Sequence, residues 1–187
     1  MALTPCLATI KTGKFAKTQT IVFPHSKSPR LVPPENLKIN MSGCSIDWSK
    51  EVTYLGLVLD SKLIFRSQVD KLVNQTNILI KSLYPLIARR SKLNLKNRLA
   101  VYKQVILPAI EYAAPIRKNC AKSHRLRLQR LQNKILKMVL NLPFHTRTHR
   151  VHQLAGMELL DTRLDRIANN FIAKCNNSTK EIVQNLF

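Results

Sequence analysis

The stretch EVTYLGLVLDSKLIFRSQVDKL, Glu51–Leu72, decides how the chain divides. Through Asp60 it reads as extended. VTYLGLVLD (Val52–Asp60) is an almost unbroken apolar run, the pattern of a strand buried on both faces. Gly56 inside it points to a bulge or to the close approach of another backbone. Beyond Asp60 the apolar period changes from two to 3.6. Ser67 is placed to cap a helix whose inner positions would be Val69, Leu72, Val73, Thr76, Leu79, Ile80 and Leu83.

Upstream of this stretch the chain looks β-rich. TQTIVF (Thr18–Phe23) is β-branched and stops at Pro24, and SKSPRLVPP (Ser26–Pro34) is a loop by its serines and prolines. Leu37 and Ile39 alternate with polar neighbours, Ser42-Gly43 marks a hairpin turn, and Ile46 and Trp48 follow on the return strand. Downstream, a second helix begins near Asn94, carries Leu95, Leu99, Tyr102, Val105 and Ile106, and is disturbed at Pro108. A third begins near Ser123 and ends at Asn141–Pro143. RTHRVHQLAG and DTRLDRIANNFIAKC read as two shorter helices, and no internal repeat is visible. The expected fold class is α+β: a small N-terminal antiparallel β-hairpin region followed by a mainly α-helical bundle.

Charge is the strongest global property. The 187 residues hold 31 Lys+Arg against 10 Asp+Glu, a formal charge of +21, while 45% are hydrophobic, enough for a packed core. Such an excess opposes compaction unless a polyanion neutralises it, and nucleic acid is the commonest partner of a basic globular chain. An anionic membrane surface or a ribosomal setting is the blander alternative. The excess is concentrated: residues 81–150 carry 17 basic residues and one acid, Glu111. On a helical wheel of the third helix, Leu128, Leu131, Ile135, Met138 and Val139 share one face. Arg127, Arg130, Lys134 and Lys137 form a stripe beside it. A solvated helix normally mixes signs, yet no carboxylate lies between Ala121 and Met157.

Four cysteines without a CxxC spacing suit free thiols in a reducing, intracellular compartment, nucleus or cytoplasm. Residues 1–34 lack acids, as an organellar leader does, but hold one arginine, Arg30, and no amphipathic period, so targeting is not expected. No apolar run approaches the roughly 20 residues of a membrane span.

Chemistry is harder to find. Phosphoryl transfer with two metals needs clustered carboxylates around ions about 4 Å apart, and the ten acids include no adjacent Asp-Asp pair. Asp161 and Asp165 share a helical face, but Arg163 and Arg166 stand among them, as on an ordinary helix surface. Cys120-x3-His124 and His145-x3-His149, with His152, have tolerable zinc spacing, but one cysteine and arginine-rich surroundings argue against zinc. Neither a nucleophile elbow nor a Gly-rich phosphate loop is present.

Four blocks, in order, resemble the RNA-directed DNA polymerases of non-long-terminal-repeat retrotransposons of the jockey type. KFAKTQTIVF (Lys14–Phe23) is similar to the family's Asn-Pro-x-Lys-Thr block, with Lys17-Thr18 as its Lys-Thr. VTYLGLVLDSKLIF (Val52–Phe65) resembles the strand-turn element after the polymerase core. Ser82–Ile116 resembles two thumb helices, and Lys122–Pro143 the Leu-Gln-x-x-Gln-Asn-Lys helix, kept as Leu128-Gln129, Leu131-Gln132 and Asn133-Lys134. The resemblance covers about residues 11–160 and implies a C-terminal part of such a polymerase. It implies a partial palm with a primer-grip hairpin over 1–66, a thumb-like bundle over 67–143 and a helical extension over 144–187.

The same resemblance implies a template–primer duplex of RNA and DNA as partner. Tyr54, Leu55 and Gly56 would form the primer grip, although the plainer reading of Tyr54 and Leu55 is sheet core. Lys17 would lie near the incoming triphosphate. Arg89, Arg90, Lys92, Lys96, Lys103, Arg127, Arg130, Lys134 and Lys137 would meet the duplex backbone, which needs cations but little base reading. The family's Tyr/Phe-Ala-Asp-Asp motif does not precede Lys17, and the fingers and upstream palm are missing partners. No cofactor is therefore expected in this chain, although Mg²⁺ is implied for the intact enzyme. Where the family has Pro-x-Trp, this chain has Pro115-Ile116-Arg117. A fragment of a polymerase unable to polymerise alone is the leading expectation, with a sheet edge prone to aggregation where strands are missing. A stand-alone nucleic-acid-binding module is the alternative.

Overall fold

Leu55 and Gly56 have positive φ, 47° and 78°, and they break the apolar run Val52–Asp60 into two strands. Glu51–Tyr54 pairs antiparallel with Leu57–Asp60, Tyr54 opposite Leu57. Positive φ at both central residues is the signature of the hairpin turn that matches strand twist. The expected single strand with a bulge is therefore a tight hairpin. Gly56 serves its φ and not a close approach, because a Cβ placed there meets nothing within 4 Å.

In the computed structural model, residues 7–10, 18–23, 39–41 and 44–177 are described, with backbone alone at 7–10, 41 and 44. Lys17, the Ser26–Pro34 loop, Leu37 and the Ser42-Gly43 turn lie outside the described residues. The chain forms two compact units, Met1–Gln68 and Val69–Phe187.

The first unit is built from three antiparallel pairs. β1 (Leu7–Ile10), which the sequence reading did not anticipate, pairs with β2 (Gln19–Val22). β3 (Ile39–Met41) pairs with β4 (Cys44–Ile46), Met41 opposite Cys44. β5 (Glu51–Tyr54) and β6 (Leu57–Asp60) form the hairpin already described. Thr20 links β2 to the segment before β5: its carbonyl accepts the Ser49 N–H at 2.8 Å and its hydroxyl donates to the Asp47 carbonyl at 2.9 Å. Ile21, Val52, Leu57 and Phe65 are buried. Within the hairpin only Val52 and Leu57 are buried, and residues 58–60 are partly covered, so it is half-buried and not enclosed on both faces as its continuous apolarity implied.

Asp60 organises the exit from β6. Its carboxylate accepts the N–H groups of Lys62, Ile64 and Phe65 at 3.1, 2.9 and 2.6 Å. Helix α1 (Arg66–Ile87) starts one residue later. Ser67 thus lies inside the first turn and is not its cap; its hydroxyl donates to the Glu51 carboxylate. Gln68, buried, accepts the Val58 N–H at 2.8 Å.

The second unit is helical. α2 (Leu95–Val101) is capped by Asn94, whose side chain accepts the Asn97 N–H at 2.8 Å. It runs into a π-helical turn, Tyr102–Ile106, and then α3 (Leu107–Glu111). Pro108 has no N–H to give the Gln104 carbonyl. The turn before it widens, and the Leu107 N–H reaches back to the Tyr102 carbonyl. The extra residue shifts the helical phase. Val105 is exposed, as is Leu95 at the helix start, whereas Tyr102, Ile106, Leu107 and Ile110 are buried.

α4 (Lys122–Val139) ends at Asn141 (φ 56°), with the Leu142 N–H on the Lys137 carbonyl at 2.9 Å and the Asn141 N–H on the Met138 carbonyl at 3.2 Å. This is a Schellman closure with asparagine at the left-handed position, followed by Pro143. α5 (Thr148–Ala155) closes the same way at Gly156 (φ 59°), and α6 (Leu160–Asn176) completes the unit.

Four of the five residues expected on the inner face of α4, Leu128, Leu131, Ile135 and Val139, are in the core with Leu136, while Met138 is only partly buried at its edge. They pack with Val151 and Ala155 of α5 and Leu160 and Leu164 of α6. Val69, Leu72, Ile80 and Ile87 of α1 belong to the same cluster. Burying one such side chain contributes about 1.5–3 kcal/mol. No helix among the described residues is long and apolar enough to cross a membrane.

Candidate nucleic-acid interface

The described carboxylates of the second unit are Asp70, Glu111, Glu158, Asp161 and Asp165, and every one of them meets an arginine. Asp70 of α1 pairs with Arg127 of α4. Glu111 of α3 pairs with Arg163 of α6. Arg125, at the start of α4, takes Asp161 and, at 2.6 Å, Asp165 of α6. Glu158 meets Arg166 at 2.5 Å and Arg163 at 3.6 Å. The hydrogen bond from Arg166 holds the Glu158 carboxyl below the usual carboxylate range. Bonding to Glu111 raises the Arg163 guanidinium, and bonding to Asp165 and then Asp161 raises that of Arg125. These pairs fasten α1, α3, α4 and α6 together and use up the anionic groups.

Of the remaining cations Arg98 and Arg117 are buried, whereas most of those expected to meet a duplex face solvent. Arg89 and Arg90 lie in the turn after α1, Lys92 in the link to α2, and Lys96 on α2, all exposed. Lys103 is exposed on the π-helical turn and lines a cavity of about 300 Å³ with Glu158 and Arg163. On α4 the predicted stripe divides. Arg130 and Lys134 are exposed with no carboxylate partner among the described residues, Arg127 is held by Asp70, and the Lys137 ammonium donates to the Phe144 carbonyl at 2.5 Å.

A groove of about 730 Å³ runs along α1 and α4, lined by Asn74, Asn77, Ile78, Lys81 and Tyr84 from the first and Lys134 and Met138 from the second. It joins a predicted cation, Lys134, to one the sequence reading passed over, Lys81. The signal was present: Asn74, Asn77, Lys81 and Tyr84 recur at steps of three and four on a face other than the apolar one.

In the first unit, Tyr54 and Leu55 sit at the hairpin tip, 47% and 73% exposed. They are not sheet core; Val52 and Leu57 fill that role.

The motif residues of α4 have a structural use. Gln129 accepts the Leu160 N–H at 2.7 Å, and the fully buried Gln132 accepts it at 3.0 Å. The two side chains together cap the start of α6, where Leu159 supplies none. Gln129 donates to Gln132 and Asn133, both at 2.9 Å. His152, buried, lies 2.9 Å from Asn133 through Nε2, and its Nδ1 is 3.1–3.2 Å from the Met157 and Glu158 carbonyls. This histidine is a joint between α4, α5 and the entry to α6. Among the described residues no group of three His, Cys, Asp or Glu side chains gathers as metal ligands would.

At the departure from Pro-x-Trp, Arg117 is buried and donates to the Ile110 and Tyr112 carbonyls at 2.8 and 2.9 Å. Burial pushes its pKa down.

No family model matches the chain, and no solved structure matches it. Curated relatives do. The chain is 24% identical over 148 residues to the RNA-directed DNA polymerase from mobile element jockey of Drosophila funebris, a match covering 79% of this chain and 16% of that protein. It is 27% identical over 138 residues to the jockey polymerase of Drosophila melanogaster, covering 74% of this chain and 15% of that protein. It is 32% identical over 100 residues to the probable RNA-directed DNA polymerase from transposon X-element of Drosophila melanogaster, covering 54% and 11%. The chain thus spans only about a sixth of the jockey polymerases it matches. These matches, together with an α+β chain whose hairpin and helices carry the resembling blocks, make the chain similar to the RNA-directed DNA polymerases of non-long-terminal-repeat elements of jockey type.

Proposed function

We propose that this chain is the part of a retrotransposon RNA-directed DNA polymerase that holds the template–primer duplex, and that it does not join nucleotides by itself. One observation carries the reading. Each described carboxylate of the second unit is paired with an arginine, so Lys81, Arg89, Arg90, Lys92, Lys96, Arg130 and Lys134 face solvent with no carboxylate partner among the described residues. A surface of this kind is matched by a phosphate backbone, and binding releases the counterions condensed on it.

The exposed Tyr54-Leu55-Gly56 tip supports a primer-grip role in the first unit. A two-residue turn holds these side chains on a rigid hairpin, at a point where a primer end could rest.

Among the described residues no group of acids gathers as ligands for the Mg²⁺ implied for the intact polymerase. Beyond the arginine-bound acids, Asp60 is occupied by three backbone N–H groups and Glu51 by the Ser67 hydroxyl. No step of nucleotide transfer is assigned to them.

The test is binding of the purified chain to an RNA–DNA duplex across a salt series. The expected result is an affinity that falls linearly with log salt, by about 0.9 per phosphate neutralised, with Lys134→Glu lowering both affinity and slope. Salt-insensitive binding, or none at low salt, would remove the reading. Primer extension on RNA by this chain alone, with Mg²⁺ or Mn²⁺, would overturn its second half.

A further inference from the structure

We infer that the groove between α1 and α4 binds unpaired nucleotides, base against Tyr84 and phosphates against Lys81 and Lys134. The site lies beside the duplex-binding surface and rests on the proposed nucleic-acid reading only for its choice of polyanion.

Three features of different kind meet in this groove. The first is charge: Lys81 and Lys134 line it from opposite helices, and neither has a carboxylate partner among the described residues. Lysine ammonium groups are mobile point charges suited to a backbone whose phosphates vary in position.

The second is an aromatic face. Tyr84 is 55% exposed and lines the groove, with Ile78, 64% exposed, two turns back on the same helix. The ring is left half in water in a groove that also holds two cations. Stacking of a base on such a ring is tolerant of sequence, because every base has a π-face. A duplex, with its bases stacked on each other, has none to offer except at its end.

The third is the backbone. Residue 85 is proline, inside α1. It supplies no N–H to the carbonyl four residues earlier, which is that of Lys81. The helix therefore leaves an acceptor without its usual donor at the residue that also supplies a cation to the groove. The amides of Asn74 and Asn77 extend the polar lining along one edge. Amides of this kind suit the Watson–Crick edges that only unpaired bases expose.

The groove's volume, about 730 Å³, lies within the few-hundred to thousand Å³ range of ligand clefts, enough for a nucleotide or two. A protein segment as occupant would need acidic residues to meet Lys81 and Lys134, whereas a nucleic-acid strand provides both the charge and the ring.

The experiment uses the full chain and two RNA–DNA duplexes of about 16 base pairs. One is blunt, and the other carries a single-stranded overhang of about eight nucleotides. The overhang is expected to tighten binding about tenfold, the gain of one stacked base. Tyr84→Ala is expected to abolish that gain and leave blunt-duplex affinity unchanged, and Tyr84→Trp to retain it. Equal affinity of the wild-type chain for both duplexes overturns the inference, as does a gain that survives in Tyr84→Ala. Binding of the overhang as a free oligonucleotide, with no binding of blunt duplex, supports this site and removes the duplex reading. Binding of neither nucleic acid removes both.

Discussion

Replacing Tyr102 by phenylalanine tests the packing of the helical unit at a single oxygen atom. The side chain is fully buried in the π-helical turn, and its hydroxyl has no hydrogen-bond partner. Gln132 is near enough to favour the ionised form, but no hydrogen bond of acceptable geometry joins the two, and the Gln132 amide nitrogen also lacks an acceptor. Burial pushes the Tyr102 hydroxyl up to about 12, from an ordinary value of about 10.

The sign follows from proton binding. Between those values the unfolded chain has lost the proton and the folded chain keeps it, so stability is fully present below pH 10 and falls as pH rises toward 12. A shift of about two units is worth roughly 2.7 kcal/mol over that window. At pH 7 the hydroxyl is only a buried polar group without a partner, a cost of about 1–3 kcal/mol. Tyr102→Phe should therefore be at least as stable as the parent near neutrality and more stable by a further 2–3 kcal/mol or so at pH 12. Urea unfolding followed by circular dichroism at several pH values measures both. Lysines deprotonate over the same range, but they are common to the two proteins and cancel in the difference. Parallel stability curves from pH 9 to 12 would refute the reasoning. So would a loss of more than about 1 kcal/mol at pH 7, which would mean that the hydroxyl is bonded after all.

Asp60→Ala leaves three loop N–H groups without their acceptor and should cost about 1–3 kcal/mol, visible as faster hydrogen exchange at Lys62, Ile64 and Phe65. Gly56→Ala meets no atom within 4 Å but must hold φ near 78°. A loss of about 1–2 kcal/mol is expected by thermal melting, with Gly56→Asn recovering most of it. Glu111 and Arg163 are less exposed than Asp70 and Arg127 (15% and 30% against 40% and 48%). Double-mutant cycles should give a coupling of about 1 kcal/mol for the first pair and near zero for the second.

The helices were legible because their cores are periodic. Val69, Leu72, Thr76 and Ile80 repeat at helical spacing and are buried, and Asn94 announces the cap it forms. The hairpin at Leu55-Gly56 was hidden inside an unbroken apolar run. Leucine is a poor marker for a left-handed turn residue, so only Gly56 signalled the break, and a glycine within a strand pattern reads equally as a bulge. The phase shift at Tyr102–Ile106 follows from one missing N–H at Pro108, which sequence shows, but the choice between a kink and a widened turn depends on packing. Gln129 and Gln132 could be noted as a motif, yet the N–H they cap belongs to Leu160, 31 and 28 positions on. No local pattern carries that information. Lys81 and Tyr84 share a helical spacing with Asn74 and Asn77, but spacing on a polar face does not reveal that α4 lies opposite to form a groove.

The pairing of a subset of the arginines with the carboxylates gives the charge distribution a physical logic. Arg125, Arg127, Arg163 and Arg166 take all five described carboxylates of the helical unit, whereas Lys81 and Lys134 have no carboxylate partner among the described residues. A planar fork fits a carboxylate and loses less entropy per bond, while an ammonium on a flexible stem stays hydrated and free to follow a phosphate backbone. The two sets respond differently to salt. Partly buried pairs such as Glu111–Arg163 are weakly screened, whereas the mutual repulsion of exposed lysines in a chain of charge +21 is strongly screened. Added salt therefore relieves the repulsion more than it loosens the internal pairs. The same ions that stabilise the fold compete with a polyanion for the surface, so folding and binding pull in opposite directions along a salt series. A strand bound as proposed would stabilise such a chain, because it would supply the screening that free salt otherwise provides.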